Sequence, residues 1–199
     1  MTIDAGKTAT GNNMNDTLFL NEYFDEYKKL AFNDEVYSQL VAFKELALTI
    51  KASGNKMMLT GNGASAAISA HGAVDFTKQA GVRGVTFNEA DLITCFANDY
   101  GYDHWMAKAV EFYGDDGDVV VLTSVSGTSP SVVEAAKYAK SRGMKVVTFT
   151  GKTADNDLRQ LGDINFWVDS RAYNIVEGIH MMWLTTVVDL VIGKAEYSV

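Results

Sequence analysis

The chain has 199 residues, of which 47% are hydrophobic and 21% are charged, and these values are typical of one globular domain. A formal net charge of −8 at pH 7 argues against a surface that binds nucleic acid directly. No uncharged apolar run reaches the ~18 residues of a membrane-spanning helix, so none is predicted. The single cysteine, Cys95, excludes an internal disulfide and favours a reducing cytoplasm, and without a supporting motif we expect it to be packed in the core.

The N-terminal part of the chain divides into a tail and two helical segments. Residues 1–15 have neither the basic start nor the apolar centre of a signal peptide, and we expect a disordered tail. Apolar and aromatic residues recur at helical spacing over 16–32 and again over 35–51. Because both segments precede any strand, they predict an N-terminal helical hairpin within residues 16–53.

Strands and helices alternate over residues 54–199. The predicted strands are 56–61, 84–87, 118–124, 145–150 and 164–168, and the predicted helices are 66–80, 102–113, 130–142, a short one near Leu158, and 174–193. This alternation is typical of a parallel sheet covered by helices on both faces. Residues 16–199 are therefore predicted to form a single α/β domain.

The first strand is followed by a glycine-rich loop, "TGNGASAA", at residues 60–67. Gly61 and Gly63 permit close backbone approach, and Ser65 is a suitable cap for the next helix. Ala66 stands where a dinucleotide fingerprint would have its third glycine, and no Gly-Lys-Ser/Thr follows either loop. No nucleotide cofactor is therefore expected.

The third strand is followed by a hydroxyl-rich loop, "SVSGTSPS", at residues 124–131. Its hydroxyls include those of Ser124, Ser126 and Ser129, and Ser129 with Pro130 forms a favourable helix start. Free N–H groups at a helix N-terminus bind anions, and hydroxyls without Lys or Arg favour a neutral cradle for a phosphate monoester. Capped turns of this composition are also common in α/β sheets, so either loop alone is equally compatible with a purely structural role.

Together, "GNGAS", "SVSGTSPS" and "FANDYGYD" (residues 96–103) resemble the sugar isomerase (SIS) domain family over nearly the whole chain. The third string is similar to the phosphoheptose isomerase branch, which includes sedoheptulose 7-phosphate isomerase and the non-catalytic DnaA initiator-associating protein. The resemblance implies a five-stranded parallel sheet flanked by helices, as in a flavodoxin-like three-layer sandwich. It also implies a homotetramer with active sites between subunits.

The resemblance further implies a phosphosugar held by the two loops. The residues it assigns to this ligand are small or polar: Gly61, Asn62, Gly63, Ser65, Asp99, Ser124, Ser126 and Ser129. Val125 stands where the family usually has another hydroxyl residue, so we expect the cradle to be one contact short.

Two pairs of titratable residues at helical spacing are candidates for the chemistry. His71 and Asp75 are four apart on one predicted helix, and Glu177 and His180 are three apart on the last. His71, Asp75, Glu177 and His180 are the candidate ligands of a zinc site, although such pairs are also common on surfaces and at interfaces. By resemblance, His71 and Asp75 occupy the positions of a family His and a catalytic Glu.

The last helix departs from the family pattern, which is Gln-Glu-x-His followed by a catalytic His five residues later. A gap-free match puts Glu177 at the Gln position, Gly178 at the Glu position and Thr185 at the catalytic His position. Thr185 is no base near neutral pH, and a one-residue slip would put Leu184 there instead. Either another set performs the catalysis, with Asp75 or Glu177 as base and His71 as acid or metal ligand, or the activity is lost.

Two functions remain as hypotheses. The first is a cytoplasmic phosphoheptose isomerase-like enzyme that interconverts aldose and ketose forms of a heptose phosphate, or a related sugar phosphate, for lipopolysaccharide or capsule precursors. The alternative is a non-catalytic SIS protein that binds a phosphosugar or docks a partner, similar to the DnaA initiator-associating protein. The acidic groups retained at Asp75 and Glu177 favour the enzyme, whereas Thr185 favours the alternative.

Overall fold

The computed structural model describes residues 15–196. The predicted tail therefore lies outside the described residues except for Asn15, whose side chain accepts a hydrogen bond from the Thr17 N–H at 3.0 Å and caps the first helix. The last three residues of the predicted domain also lie outside the described part.

Helices and strands alternate through the described residues after two initial helices. The helices are α1 Asp16–Ala31, α2 Asp34–Ser53, α3 Ala64–Lys78, α4 Ala90–Tyr100, α5 Trp105–Tyr113, α6 Pro130–Ser141, α7 Asp157–Leu161 and α8 Tyr173–Ile192. The strands are β1 Met57–Gly61, β2 Gly84–Thr86, β3 Val119–Ser124, β4 Lys145–Thr150 and β5 Ile164–Trp167.

The five strands form one parallel sheet in the order β2-β1-β3-β4-β5, which confirms the predicted fold class. Strand order reverses between β1 and β3, which pair from Met57↔Val119 to Gly61↔Thr123. In open parallel sheets, ligands bind beyond the carboxyl ends of the strands at such a reversal. The glycine-rich and hydroxyl-rich loops both begin at this point.

Helices cover both faces of the sheet and give three layers. One core cluster joins α1, α2, α3 and α8 to the sheet, and a second joins α4, α5, α6 and α7 to its other face. In the first cluster the ring of Phe43 from α2 lies 5.7 Å from Phe76, 6.3 Å from Phe149 and 6.1 Å from Phe166, measured between ring centroids. This aromatic contact fixes the helical hairpin against the sheet.

Helix α8 is long and apolar enough to cross a membrane, yet it serves as a core helix of this domain. Its buried apolar side chains lie in the first core cluster and include Val176, Ile179, Trp183 and Val187. The Trp183 indole Nε1 donates to the Ala31 carbonyl at 3.0 Å, which joins α8 to the end of α1.

The structure differs from the predicted elements around residue 95. Helix α4, whose last turn contains Asn98 and Asp99, was not among the predicted helices. Leu92, Ile93 and Phe96 give α4 an apolar face that packs against the second core cluster, so tertiary contacts override the turn preference of Asn-Asp. The expectation that Cys95 is buried is wrong, because it lies on the exposed face of α4.

Candidate functional site

A pocket of about 150 Å³ lies beyond the carboxyl ends of β1 and β3, between the two loops and the first turns of α8. Its described lining residues are Asn62, Ser65, Ser124, Val125, Ser126, Ser129, Tyr173 and Glu177. Five of the predicted phosphosugar-binding side chains are thus brought together with Glu177. Tyr173 is a lining residue that the sequence analysis missed.

The glycine-rich loop is closely packed against the neighbouring strand. A Cβ built on Gly61 would lie 2.7 Å from the Thr123 carbonyl oxygen. The ends of β1 and β3 are therefore so close that only glycine fits at this position. Gly63 has φ of 59° and occupies the N-cap position of α3. Ser65 is therefore the second residue of α3, so the prediction that it caps this helix is wrong; its side chain is buried and lines the pocket.

The hydroxyl-rich loop is folded by its own side chains. The Ser124 Oγ accepts from the Gly127 N–H and the Ser126 Oγ accepts from the Thr128 N–H, each at 3.3 Å. Ser129 and Pro130 occupy the predicted N-cap and first positions of α6, but the Ser129 side chain forms no capping hydrogen bond. Its hydroxyl is therefore not engaged by the helix it precedes.

Asn156, which was not predicted as a site residue, packs against Gly127 of the hydroxyl-rich loop. Its amide Nδ2 donates to the Thr153 carbonyl at 2.8 Å and its Oδ1 accepts from the Arg159 N–H at 2.9 Å. Gly127 has φ of 65°, and a Cβ there would overlap the Asn156 amide. The Leu158 N–H also donates to the Gly127 carbonyl at 2.9 Å. The backbone that surrounds the pocket is therefore already ordered by protein contacts.

Asn62 is held at the pocket by hydrogen bonds on both sides. The Tyr102 hydroxyl donates to the Asn62 Oδ1 at 3.1 Å, and the Asn62 Nδ2 donates to the Ser131 Oγ at 3.0 Å. Asp99 lies outside this pocket, on exposed α4, where its carboxylate accepts from the Asn98 amide at 2.9 Å.

His71 and Asp75 form the predicted pair on α3 but do not line the pocket. The His71 Nε2 lies 3.2 Å from the Asp75 Oδ2, and the two side chains are 55% and 17% exposed. The pair is thus accessible on the outer surface of α3, while Glu177 lines the pocket of the same chain.

His180 is buried in the core and is not part of this site. Its Nε2 lies 3.0 Å from the Thr150 carbonyl oxygen, which can only accept, so this nitrogen carries the proton. Burial lowers the pKa of His180 to about 4, although the bond to Thr150 acts in the opposite direction. The imidazole is therefore neutral at pH 7.

The four predicted zinc ligands do not meet within one chain. Over residues 15–196, no group of three or more His, Cys, Asp or Glu side chains is placed to hold a metal ion. His180 has its Nε2 committed to the Thr150 carbonyl, and only Glu177 of the other three lines the pocket. His71, Asp75, Glu177 and His180 therefore do not form the predicted zinc site within one chain, and a zinc site shared between subunits stays a prediction.

Thr185, at the family's catalytic His position, is engaged with its own helix. Its Oγ1 donates to the Met181 carbonyl at 3.0 Å. A threonine hydroxyl is no base near neutral pH, and the proton of this one is donated to the backbone of its own helix. Glu177 is the one carboxylate among the described residues that line the pocket.

Comparison with known proteins agrees with this fold. The SIS domain family model matches residues 22–151. A phosphoheptose isomerase from Maridesulfovibrio salexigens is 34% identical over 154 residues, which cover 74% of this chain and 75% of that protein. A phosphoheptose isomerase from Fusobacterium nucleatum is 29% identical over 171 residues, which cover 83% of this chain and 88% of that protein.

A solved structure gives the same result. The phosphoheptose isomerase from Neisseria gonorrhoeae superposes with a TM-score of 0.80 at 27% identity, over 88% of this chain and 97% of that one. Sequence and fold therefore agree, and the chain belongs to the SIS domain family, in its phosphoheptose isomerase branch.

Proposed function

We propose that this protein is a phosphosugar isomerase that interconverts the aldose and ketose forms of a heptose phosphate of the sedoheptulose 7-phosphate type. The observation that carries the proposal is a single pocket that combines a hydroxyl-rich loop at the start of α6 with the carboxylate of Glu177. The loop provides neutral donors and a helix N-terminus for the phosphate. The carboxylate provides a group that can move a proton.

The proposed reaction transfers one proton between neighbouring carbons. In the ketose-to-aldose direction, a base removes a proton from C1, and the electrons form the C1–C2 double bond while the C2 oxygen accepts a proton, which gives an enediol. Return of the carbon-bound proton to C2, with loss of the O1 proton, gives the aldose. Glu177 is the proposed base, and His71 paired with Asp75 is the proposed acid that protonates the sugar oxygen.

This assignment requires more than one subunit, because the His71–Asp75 pair does not line the pocket of its own chain. We propose a homotetramer in which this pair completes the pocket of a neighbouring subunit. Support comes from large apolar side chains on the helical hairpin that are about half exposed: Leu18, Phe19, Leu20, Phe24, Phe32, Tyr37 and Val41. Such a surface is typical of an interface between subunits.

The donors present do not fit a zinc site in one chain, and no step of the proposed reaction is assigned to a metal. We place the enzyme in the cytoplasm, where its product would supply lipopolysaccharide or capsule precursors. The similarity to the phosphoheptose isomerases supports this placement in carbohydrate metabolism.

The engagement of Thr185 with its own helix favours a second candidate, a non-catalytic phosphosugar-binding protein. The two are separated by incubating the protein with sedoheptulose 7-phosphate in D2O and following the keto form by NMR. The isomerase loses keto signal and incorporates deuterium at the reacting carbon, and Glu177→Gln lowers the rate at least about 100-fold, the scale of a general base. Binding of the sugar phosphate without loss of keto signal would instead establish the non-catalytic candidate.

The pair on α3 is tested in the same assay. We expect Asp75→Asn and His71→Gln to lower the rate, with Lys78→Gln on the same helix as a control that leaves it unchanged. Unaltered turnover in both Asp75→Asn and His71→Gln would remove this pair from the mechanism.

A further inference from the structure

Tyr173 and Lys152 form a polar pair at the wall of the pocket. Tyr173 is the first residue of α8 and lines the pocket together with Glu177. The Lys152 Nζ lies 2.9 Å from the Tyr173 hydroxyl oxygen and 4.6 Å from the centre of the Tyr173 ring. The ammonium therefore contacts both the hydroxyl and the face of one aromatic side chain.

Lys152 is held in a backbone conformation that is unfavourable for its residue type. Its φ is 55°, and it is the one non-glycine residue with positive φ within the described range. The left-handed region is costly for a residue with a Cβ and is retained where surrounding contacts enforce it. Here the Lys152 N–H donates to the Ser170 carbonyl at 2.9 Å, and the Gly151 N–H donates to the Val125 carbonyl of the hydroxyl-rich loop at 3.0 Å.

The charge of the pocket lining gives Lys152 a role. Glu177 is the only charged residue among the described residues that line the pocket. A phosphate group carries about −1.5 to −2 charges at neutral pH, so a second anion there needs a compensating cation. Lys152 supplies this cation, because its ammonium lies 2.9 Å from the hydroxyl oxygen of the lining residue Tyr173.

We propose that Tyr173 is a further ligand-binding residue of this site, which donates to the phosphate, and that Lys152 positions and polarises it. An ammonium has donors only, so the Tyr173 oxygen accepts from Lys152 and keeps its own O–H to donate. A hydroxyl whose oxygen contacts a cation is the stronger donor to a charged acceptor. This role for Tyr173 rests on the proposed function in one respect, which is that the ligand is a phosphate monoester.

The direct test is calorimetric titration of the full chain with inorganic phosphate and with sedoheptulose 7-phosphate at low ionic strength. We expect Tyr173→Phe and Lys152→Gly each to weaken binding of both ligands about tenfold, as for loss of one hydrogen bond to a charged group. The double variant should bind no more weakly than Tyr173→Phe, because Lys152 acts through Tyr173. Lys137→Met is the matched control, since it removes a lysine that pairs with Glu134 on the surface of α6.

Protein stability separates lost binding from misfolding. Lys152→Gly removes the side chain from a left-handed position, so its melting temperature should equal or exceed that of the wild type. Lys152→Arg retains the charge and should keep phosphate affinity within about threefold of the wild type. In turnover assays, Tyr173→Phe should raise KM while kcat stays within about twofold, as for loss of uniform binding.

Unchanged phosphate binding in both Tyr173→Phe and Lys152→Gly would overturn the inference. Additive losses in the double variant would overturn the positioning role of Lys152. A wild-type chain that binds phosphate but isomerises no ketose phosphate would refute the proposed activity, while the binding data would still decide the role of Tyr173. A wild-type chain that binds neither ligand would refute both.

Discussion

The Tyr27 side chain of α1 occupies the space in which a side chain at Gly178 of α8 would begin. A Cβ built on Gly178 would lie 2.5 Å from the Tyr27 hydroxyl oxygen and 3.2 Å from a ring carbon. The same hydroxyl donates to the Asn174 carbonyl at 3.1 Å. Gly178, which stands at the family's Glu position, therefore leaves room for the Tyr27 ring. Tyr27 in turn joins the helical hairpin to the first turn of α8, close to Glu177.

We expect Gly178→Glu, which restores the family residue, to destabilise the protein by about 1–3 kcal/mol through overpacking. The measurement is urea-induced unfolding of the wild type and the variant. In a Tyr27→Ala background, Gly178→Glu should cost clearly less, because the overlapping ring is gone. An equal cost in both backgrounds would show that Tyr27 is not the obstacle.

A buried ion pair at the amino-terminal end of the sheet should be essential for stability. The Asp118 carboxylate contacts the Lys56 Nζ at 2.6 Å and accepts from the backbone N–H groups of Lys56 at 2.9 Å and Asp115 at 2.8 Å. Burial alone raises the pKa of Asp118, but Lys56 and these backbone donors outweigh burial and hold the pKa below its usual value. Asp118→Ala should therefore cost about 2–4 kcal/mol, because the backbone N–H groups of Lys56 and Asp115 lose their acceptor and the Lys56 ammonium keeps only Asp115, whose side chain is 79% exposed.

The control for Asp118 is Asp116→Ala, because the Asp116 side chain is 88% exposed and pairs with Arg142 on the surface. Its loss should change the free energy of unfolding by less than about 1 kcal/mol. Similar losses in the free energy of unfolding for Asp118→Ala and Asp116→Ala would show that burial of the Asp118 carboxylate is not important for stability.

His180 should make stability depend on acid pH. Its pKa is lowered to about 4 in the folded protein, against 6.5 for the free side chain, so the unfolded chain binds more protons between these values. Its contribution is fully present above pH 6.5 and is lost as the pH falls through 4. The shift corresponds to about 3 kcal/mol, and His180→Gln should flatten the stability profile between pH 4 and 6.5. Equal slopes for wild type and variant would contradict the buried neutral imidazole.

Gly127 should be required both for stability and for the shape of the pocket. Gly127→Ala places a methyl group on the Asn156 amide and also a side chain in left-handed backbone. Gly143→Ala is a matched control, since its φ of 71° is similar but nothing lies within 4 Å of the new Cβ. The control should lose about 1 kcal/mol from backbone strain alone, while Gly127→Ala should lose more in thermal unfolding and also weaken phosphate binding. Equal losses with unchanged phosphate binding would contradict the supporting role of Asn156.

Several features of the fold could be predicted because they depend on local chemistry. The five strands are apolar runs bounded by turn residues, and Pro130 after Ser129 is a helix start at any place in a fold. Helix α4 was missed because Asn98 and Asp99 favour turns locally, whereas its apolar face is only partly buried, and only through tertiary packing. Asn156 was missed for a related reason, since its contact with Gly127 joins residues far apart in the chain.

The sequence by itself determined the alternation of strands and helices, the two small-residue loops and the helical pairing of His71 with Asp75, because each depends on neighbours within a few residues. Only the tertiary structure decided which polar groups share a pocket. It brought Glu177 and Tyr173 to the loops, directed His71 and Asp75 away from the pocket of their own chain, and buried His180. Helical spacing gives the face on which a side chain lies, but the packing of α3 and α8 on the sheet decides whether that face meets the ligand, the core or a neighbouring subunit.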